Sequence, residues 1–309
     1  MAEISAVICT YNRAGMLAGA IESLAAQTLP AEKYEVLVVD NNSSDDTQTV
    51  VERASRRFLS LSLRYLTERR QGLGHARNTG WLASSGRYVA FLDDDARADA
   101  CWLEKALGGF AGTGLPPLAI GGPIRPFYDP GRPDWFRDEY EERSWGGMRR
   151  FLDRGESFSG SNLILSRDGL DRFGGFSTEA GMMGDRLSVG EESAFFERIW
   201  ARGEGEGRLL YLPDLVVRHH VPGWKMTVGY QVRRAYAEGQ NDFRLRAGSS
   251  AAGRLGYRVR ALCRVLAGCG QALFRLRAFP ARERWLVEAM RPVWSAMGSL
   301  GFGGPPAVK

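Results

Sequence analysis

The sequence has few cysteines and no long apolar run. Its four cysteines form neither a CxxC pair nor a zinc-binding spacing, which predicts free thiols in a reducing compartment. No stretch approaches the ~20 apolar residues that a membrane-spanning helix needs. The chain begins directly with a strand pattern and not with a basic and then apolar leader, so we expect no secretory signal and a cytoplasmic protein.

Two common phosphate-binding motifs are also missing. The segment GLGHARN, residues 72–78, matches neither the GxxxxGK[ST] nor the GxGxxG spacing. Its two glycines lie at a predicted junction of loop and helix, where we expect the backbone to approach a ligand, with Arg77 in the cleft. A plain helix cap with Arg77 in a surface ion pair explains this stretch equally well when it is taken alone.

What is present is a pattern of alternating strands and helices. A chain of 309 residues with 44% hydrophobic residues can bury a sizeable core, and its length fits one large domain or one domain with an appendage. Strands that alternate with helices form βαβ units and a mainly parallel sheet, so we predict an α/β fold. The predicted strands cover residues 4–10, 34–39, 61–66 and 88–92, and the predicted helices cover residues 16–26, 47–58 and 75–84.

Polar residues follow three of these strands, at Thr10, Asp40 and Asp93. In a parallel sheet such strand ends gather on one edge, where ligands bind. Carboxylates two positions apart, such as Asp93 and Asp95, point the same way on an extended chain. A hard divalent cation that carries phosphate oxygens suits such a pair. The alternative interpretation is a polar loop in which Asp95 caps a helix that begins near Ala98.

The second half of the chain carries further polar residues at predicted element ends. Residues 115–150 are rich in proline and aromatic residues, and a long irregular stretch of this kind is usually functional or mobile. A strand over residues 158–165 follows, entered through the small residues SGSN. Glu191 and Glu192 open a predicted helix, where they also favour its dipole. Two of the three histidines, His219 and His220, stand together at a strand end.

The C-terminal part is helical and basic. Helices are predicted over residues 230–245 and 254–279, and positions 244–284 hold ten arginines with Glu283 as the single acid. Basic amphipathic helices can lie on an anionic bilayer, but they can equally be packed helices with solvated arginines. Both interpretations stay open.

The order of the motifs resembles the family 2 glycosyltransferases of the GT-A fold over about residues 4–222. The matching segments are VICTYNR, VLVVDNNSSDDT, GLGHARNTG, GRYVAFLDDD, SGSNLIL, GEES and RHH. The resemblance implies a Rossmann-like, mainly parallel sheet flanked by helices over residues 1–222, followed by a basic helical region over residues 223–309. Residues 1–114 would be the nucleotide-binding half and residues 115–222 the acceptor-binding half. The family transfers a sugar from a nucleotide-diphosphate donor, usually with Mg²⁺ or Mn²⁺ and usually with inversion.

The resemblance also implies roles for individual residues. It places a metal ion at Asp93, Asp95 and His219, with His220 as the alternative ligand. It makes Glu192 or Glu191 the catalytic base, although the family has an aspartate there, so the side chain is one methylene longer. The residues implied for donor nucleotide binding are Thr10, Tyr11, Arg13, Asp40, Asn42, Arg77, Asp93 and Asp94.

The acceptor is the least specified partner. Trp145, Ser161 and Asn162 are the predicted acceptor contacts, while Trp135 and Tyr140 could stack on a sugar or form the core of a small lid. A glycan, a lipid-linked saccharide or a small molecule could be the acceptor, and we expect no nucleic-acid partner.

Two other functions remain as alternatives. One is a nucleotidyltransferase that forms a nucleotide-sugar, although no Gly-rich, lysine-containing signature follows the first strand. The other is a non-catalytic module that binds a nucleotide-sugar and uses the basic C-terminal helices to recruit partners or membrane.

Overall fold

The structure is a computed structural model, and it describes residues 2–111, 114–129, 131–178, 191–246, 250–274, 279 and 281–300. The chain forms two compact units. The first contains residues 1–127 and 141–220, and the second contains residues 128–140 and 221–309. The segment 128–140 therefore folds with the C-terminal helices. The domain boundary at residue 222 and the division into two halves at residue 114 stay predictions.

The first unit is built from alternating strands and helices, as the pattern of the sequence predicts. In chain order its elements are β1 (Ile4–Thr10), α1 (Ala14–Ala25), β2 (Tyr34–Asp40), α2 (Thr47–Arg57), β3 (Leu63–Thr67), α3 (Leu73–Ala83), β4 (Tyr88–Asp93), β5 (Ala96–Ala98), α4 (Trp102–Phe110), β6 (Ala119–Gly121), β7 (Ile124–Phe127), β8 (Arg150–Phe151), β9 (Leu163–Ser166), α5 (Arg167–Phe173), α6 (Glu191–Ala201), β10 (Leu209–Tyr211) and β11 (Val217–His220).

Eight of the strands in the described residues form one sheet, in the order β3-β2-β1-β4-β9-β6-β10-β8. Strands β3, β2, β1 and β4 are parallel to one another. Strand β9 is antiparallel to β4 and β6, and β10 is parallel to β6. The edge strand β8 is antiparallel to β10. The predicted α/β fold, a mostly parallel central sheet flanked by helices and followed by C-terminal helices, is confirmed.

The central strands are buried on both faces, which explains why they are apolar throughout. On β1, Ile4, Ala6 and Ile8 pack with α1, α2 and α4 on one side of the sheet. Val7 points to the other side, where side chains of α3, α5 and α6 cover it. A strand between two helical layers has no polar face, so it reads as a continuous apolar run.

The described residues also form a second sheet, in the order β5-β11-β7. Its strand β5 follows directly after the three aspartates. The interpretation in which Asp95 caps a helix near Ala98 is wrong. Residues Ala96–Ala98 form β5, and α4 begins only at Trp102. The physical reason is tertiary pairing, because β5 takes its backbone partners from β11 in antiparallel register, with Ala96 opposite His219.

The second unit contains α7 (Val228–Arg246), α8 (Ala251–Phe274), α9 (Arg282–Arg284), a π-helical segment (Trp285–Ala289) and α10 (Arg291–Leu300). Its segment 128–140 adds an aromatic cluster, in which Phe136 is fully buried between Trp135 and Tyr140. Helices α7 and α10 approach closely at Gly298, where a Cβ would overlap the backbone of Tyr236. Among the described helices, none has both the length and the apolar composition that crossing a bilayer requires.

Candidate active site

The ends of three parallel strands bring the predicted polar residues to one edge of the large sheet. The register places Thr10 at the end of β1 opposite Asp40 at the end of β2. On the other side of β1, Cys9 lies opposite Asp93 at the end of β4. Ligands of open parallel sheets bind at this edge, so the backbone pairing alone assembles the first part of a site.

Three potential metal ligands meet beside this edge. Asp93, Asp95 and His219 each offer one ligand atom, and these atoms all lie within 4.8 Å of one another. His219 Nε2 is 3.1 Å from Asp95 Oδ1 and 3.8 Å from Asp93 Oδ2. Two carboxylates and an imidazole suit a divalent cation such as Mn²⁺ or Mg²⁺.

The strand β11 selects the histidine that faces the aspartates. Its backbone is fixed to the acidic turn, since His220 N–H donates to the Asp95 carbonyl oxygen at 2.9 Å. Successive side chains on a strand point to opposite faces. The His220 ring is therefore buried and packs near Phe127, with ring centroids 5.3 Å apart. His219 Nδ1 lies 3.0 Å from the His220 carbonyl oxygen. That oxygen can only accept, so Nδ1 carries the proton, and Nε2 is the nitrogen that could bind a metal ion.

Burial raises the pKa values of two of the three aspartates, Asp93 and Asp94. Burial and the adjacent Asp95 carboxylate raise the pKa of Asp94 to about 7, although Arg13 opposes the shift. Burial also raises the pKa of Asp93, and Arg77 opposes it. Arg13 Nη1 lies 2.7 Å from Asp95 Oδ2 and 3.3 Å from Asp94 Oδ1. A cation at this position stabilises the charged carboxylates, so the three acids favour binding of positive charge.

Arg77 connects this cluster to Glu192. The side chain of Arg77 is buried on α3, so the interpretation of a surface ion pair is wrong. Its Nη1 lies 2.9 Å from Glu192 Oε1, and its Nη2 lies 3.6 Å from Asp93 Oδ1. The backbone N–H of Gly160 donates to the same Glu192 Oε1 at 3.0 Å. A Cβ on Gly160 would overlap both Arg77 Nη2 and Glu192 Oε1, so this contact requires glycine.

Asp40 is held at the end of β2 by two hydrogen bonds. The hydroxyl of Tyr65 donates to Oδ2 at 2.5 Å, and the backbone N–H of Ser43 donates to Oδ1 at 2.8 Å. Burial of Tyr65, together with this hydrogen bond to Asp40, raises the pKa of Tyr65 to about 12. The Asp40 carboxylate is therefore fixed in orientation at the sheet edge, where each oxygen keeps a second lone pair for a ligand donor.

The loops that follow β1 and β2 are joined by side-chain hydrogen bonds. Asn12 N–H donates to Ser43 Oγ at 2.9 Å, and Ser44 N–H donates to Asn12 Oδ1 at 2.7 Å. Ala14 N–H donates to Asp45 Oδ2 at 2.9 Å. Asn12 and Asn42 both have positive φ, 51° and 67°, a region that asparagine adopts more readily than most residues. Thr10, the last residue of β1, is buried, while Tyr11 is half-buried and Asn42 is exposed.

A comparison with known protein families identifies the chain. The family described as "Glycosyl transferase family 2" matches residues 5–170, more than half of the chain. The chain belongs to glycosyltransferase family 2. The protein is thus a glycosyltransferase. This assignment argues against the two alternative functions, a nucleotidyltransferase and a non-catalytic binding module.

Similar proteins agree with this assignment. The succinoglycan biosynthesis protein ExoM of Rhizobium meliloti is 29% identical over 96% of this chain and 92% of its own length. Glycosyltransferase AglE of Haloferax volcanii is 31% identical, over 56% of this chain and 55% of its own length. Among solved structures, a mannosyltransferase from Pyrobaculum calidifontis, in complex with GDP-Man and Mn²⁺, has a TM-score of 0.64 and 22% identity. It covers 96% of this chain and 87% of its own, and at that identity it shows the fold alone.

The predicted acceptor residues of this glycosyltransferase lie in different environments. Asn162 is buried, and its amide group accepts from Trp102 Nε1 and donates to the carbonyl oxygens of Pro123 and Leu215. These bonds hold the amide inside the fold, so its acceptor role stays a prediction that the geometry does not favour. Ser161 is also buried. Trp145 is 41% exposed and stays a prediction as well.

Two further predictions fall elsewhere. Trp135 and Tyr140 pack together in the aromatic cluster of the second unit. The side chain of Glu191 lies outside the described residues, so the choice between the two glutamates is made on Glu192 alone.

Sequence reasoning missed two residues that shape the site. Gly160 receives the carboxylate of Glu192, and Tyr65 orients Asp40. The small residues SGSN before β9 were a signal for the first, because a small residue at a strand entrance can mark a close approach. Tyr65 gave no signal, since a tyrosine in a strand is equally expected for packing.

Proposed function

We propose that this glycosyltransferase moves a sugar, with inversion and with the help of a divalent metal, from a nucleoside diphosphate donor to an acceptor hydroxyl. The single observation that carries the proposal is the position of Arg77. Its buried guanidinium contacts Glu192 through Nη1 and lies beside Asp93 through Nη2. A base and a metal-binding acid on two sides of one cation are what a transfer reaction with a charged leaving group needs.

Asp93, Asp95 and His219 are the proposed metal ligands. The fit rests on their spacing and on the bond from His219 Nδ1 to the His220 carbonyl, which directs Nε2 to the aspartates. When Mn²⁺ or Mg²⁺ is bound, it supplies positive charge that neutralises the diphosphate of the donor. The solved mannosyltransferase in complex with Mn²⁺ supports a divalent metal by analogy of fold.

The donor nucleotide is proposed to bind at the edge formed by β1 and β2. Asp40 is an oriented carboxylate there, so it can accept a hydrogen bond from an N–H of the base. Arg13, which follows β1, contacts Asp95, and it can pair with a phosphate once a cation occupies the acids. Neighbours of similar fold were solved with GDP-Man or with UDP and UDP-GlcNAc, which supports a nucleoside diphosphate sugar as donor.

Glu192 is the proposed base. Its Oε1 is held by Arg77 and by the Gly160 N–H, and its other carboxylate oxygen takes the proton of the acceptor hydroxyl. The acceptor oxygen then forms its bond to the anomeric carbon as the bond from that carbon to the diphosphate breaks on the opposite face. The configuration of the sugar is thereby inverted, and the proton stays on Glu192.

The acceptor is proposed to be a saccharide linked to a polyprenyl phosphate. Two similar proteins carry names of this chemistry, a glucosyl-dolichyl phosphate glucuronosyltransferase and a glucosyltransferase named for a diphosphate-linked undecaprenol saccharide. The first matches 77% of this chain at 27% identity, and the second matches 36% of it at 33% identity.

The substitution Glu192→Gln tests the base. It keeps the size of the side chain and one acceptor oxygen but removes the basic carboxylate, so we expect transfer to fall by about a thousandfold. Binding of the donor nucleotide, measured by calorimetry with Mn²⁺, should stay within about threefold of the unchanged protein. The matched control is Glu197→Gln on the same helix, where the side chain is exposed and transfer should not change.

The donor itself can be found by thermal unfolding with a panel of nucleotide-sugars, with and without Mn²⁺. A donor that binds only the folded state raises the melting temperature by mass action. A donor that shifts the melting temperature equally with and without metal would remove the metal from the proposal.

The base assignment has its own contrary outcome. Near-full transfer by the Glu192→Gln variant would show that the base is another group.

A further inference from the structure

Helix α8 of the second unit has an apolar surface, which we call the outer face of α8. Its members are spaced by four, three, four and seven positions, so they lie on one side of the helix. All are at least half exposed within the part of the chain that the structure describes. They are Leu255, Val259, Leu262, Leu266 and Leu273, with exposures from 50% to 69%.

The opposite side of α8 is the one that its own unit covers. Tyr257, Ala261, Gly268 and Ala272 are the buried residues of the helix. Trp285 Nε1 donates to the Ala272 carbonyl oxygen at 2.8 Å. These contacts fix the rotation of the helix about its axis. The exposed leucines are therefore a consequence of how α8 packs, and a small rotation would break the contacts on the buried side.

The charge of α8 is of one sign. The helix carries Arg254, Arg258, Arg260 and Arg264 and no acidic residue. By helical position Arg258 and Arg260 lie on the two flanks between the buried side and the outer face, while Arg254 and Arg264 lie nearer the buried side. Arg258 lies over the ring of Phe243 at 5.4 Å, and Arg260 lies over the ring of Tyr257 at 5.9 Å. Stacking of this kind orients a guanidinium and leaves its N–H donors available for phosphate.

The flanking arginines are not used in ion pairs within the part of the chain that the structure describes. Among the described residues, no carboxylate forms an ion pair with Arg258 or Arg260. A surface with an apolar centre and cationic flanks matches the layers of a phospholipid bilayer, in which the phosphates lie above the acyl chains. A second copy of this chain is a poorer match, because α8 offers no acidic residue to pair with the flanking arginines of another α8.

We propose that the outer face of α8 binds the surface of an anionic phospholipid bilayer, with the helix lying in the membrane plane. The leucines enter the boundary of the acyl chains, and the flanking arginines pair with lipid phosphates. This inference is independent of the proposed function, because it needs neither a sugar donor nor an acceptor.

Sedimentation of the full chain with lipid vesicles tests the proposal. We expect the protein to pellet with vesicles of phosphatidylcholine mixed with phosphatidylglycerol and to pellet weakly with phosphatidylcholine alone. The double substitution Leu262→Glu/Leu266→Glu removes apolar area and adds negative charge, so binding to anionic vesicles should fall by at least about tenfold. The substitution Arg258→Gln/Arg260→Gln should reduce the preference for the anionic lipid and the dependence on salt.

The matched control is Leu59→Glu/Leu115→Glu, which changes two leucines of the first unit that are 87% and 77% exposed. It should bind vesicles as the unchanged protein does. Far-ultraviolet circular dichroism checks that each variant is folded. Binding that is unaffected by Leu262→Glu/Leu266→Glu, or absent from both vesicles, would overturn the proposal. A dimer in sedimentation velocity that this variant dissociates, without vesicle binding, would assign the face to self-association.

Discussion

Two groups of buried carboxylates in the first unit differ in how the chain satisfies them. Glu35 lies within β2, and Glu68 directly follows β3, where its backbone N–H donates to the Asp40 carbonyl oxygen. Burial raises the pKa of Glu35, but hydrogen bonds from Ser85, Ser5 and Arg64 outweigh it, so the pKa lies below its ordinary value. Hydrogen bonds from Arg70 lower the pKa of Glu68 to about 2, with a further contribution from Thr79.

The acids at the end of β4 show the opposite behaviour. The pKa of Asp93 and that of Asp94 are both raised, because burial and mutual repulsion outweigh the nearby arginines. The chain therefore satisfies Glu35 and Glu68 with its own donors, and it leaves the acids at the end of β4 short of positive charge. Groups with perturbed pKa values cluster at functional sites, so the difference distinguishes acids that stabilise the fold from acids that could bind a ligand.

The largest expected effect is the loss of metal binding on changing an acid at the end of β4. We expect Asp95→Asn to lower transfer by about a thousandfold at any practical Mn²⁺ concentration, because a proposed metal ligand is lost. Binding of Mn²⁺, followed by electron paramagnetic resonance, should weaken in parallel. Asp153→Asn is the control, since that side chain is 88% exposed. Unchanged Mn²⁺ binding by Asp95→Asn would show that the acids at the end of β4 have a structural role like that of Glu68.

An intermediate effect is expected at the contact between Glu192 and Gly160. The substitution Gly160→Ala adds a Cβ where Arg77 and Glu192 meet, so the carboxylate must shift. A displacement of about 1 Å at a reacting group lowers the rate by about a hundredfold. We therefore expect a loss of that size in kcat with little change in donor affinity, both measured by steady-state kinetics and calorimetry. Gly147→Ala, in open space, is the matched control. Equal losses in donor affinity and in kcat would place Gly160 among the donor contacts.

The smallest expected effect on catalysis comes from a structural acid. Glu68→Gln removes the charge that Arg70 and Thr79 bind, so we expect the free energy of unfolding at pH 7 to fall by about 2 kcal/mol while transfer stays unchanged. The native pKa of Glu68 is lowered, so this stability is fully present above its ordinary pKa of 4.5 and is lost as the pH falls towards about 2. Urea unfolding between pH 7 and pH 3 measures the effect, with the exposed Glu52→Gln as control. If the variant were as stable as the unchanged protein at pH 7, Glu68 would not stabilise the fold, and its contrast with Asp93 and Asp94 would be lost.

Much of the first unit could be predicted from the sequence because its signals are local. The apolar runs that end at Thr10, Asp40 and Asp93 define parallel strands, and the topology of such a sheet brings their ends together. Strand alternation predicts that His219 and His220 face opposite ways. Which of them faces the aspartates became clear from the pairing of β11 with β5.

The remaining features depend on contacts between distant parts of the chain. Strand β5 has three residues, too few for a periodic pattern, and it forms because β11 pairs with it. The contact of Arg77 with Glu192 joins residues 115 positions apart. The outer face of α8 was expected only as an amphipathic pattern, and which of its sides is buried became clear from the packing of Gly268 and Ala272.

The hydrogen bonds that join the loops after β1 and β2 have a consequence for how a nucleotide enters. Because Asn12 is bonded to both Ser43 and Ser44, neither loop can open without breaking bonds to the other. The two loops therefore form one connected unit at the rim of the cleft. A ligand that steadies one loop steadies its neighbour, so the ordering entropy of both is lost in one event.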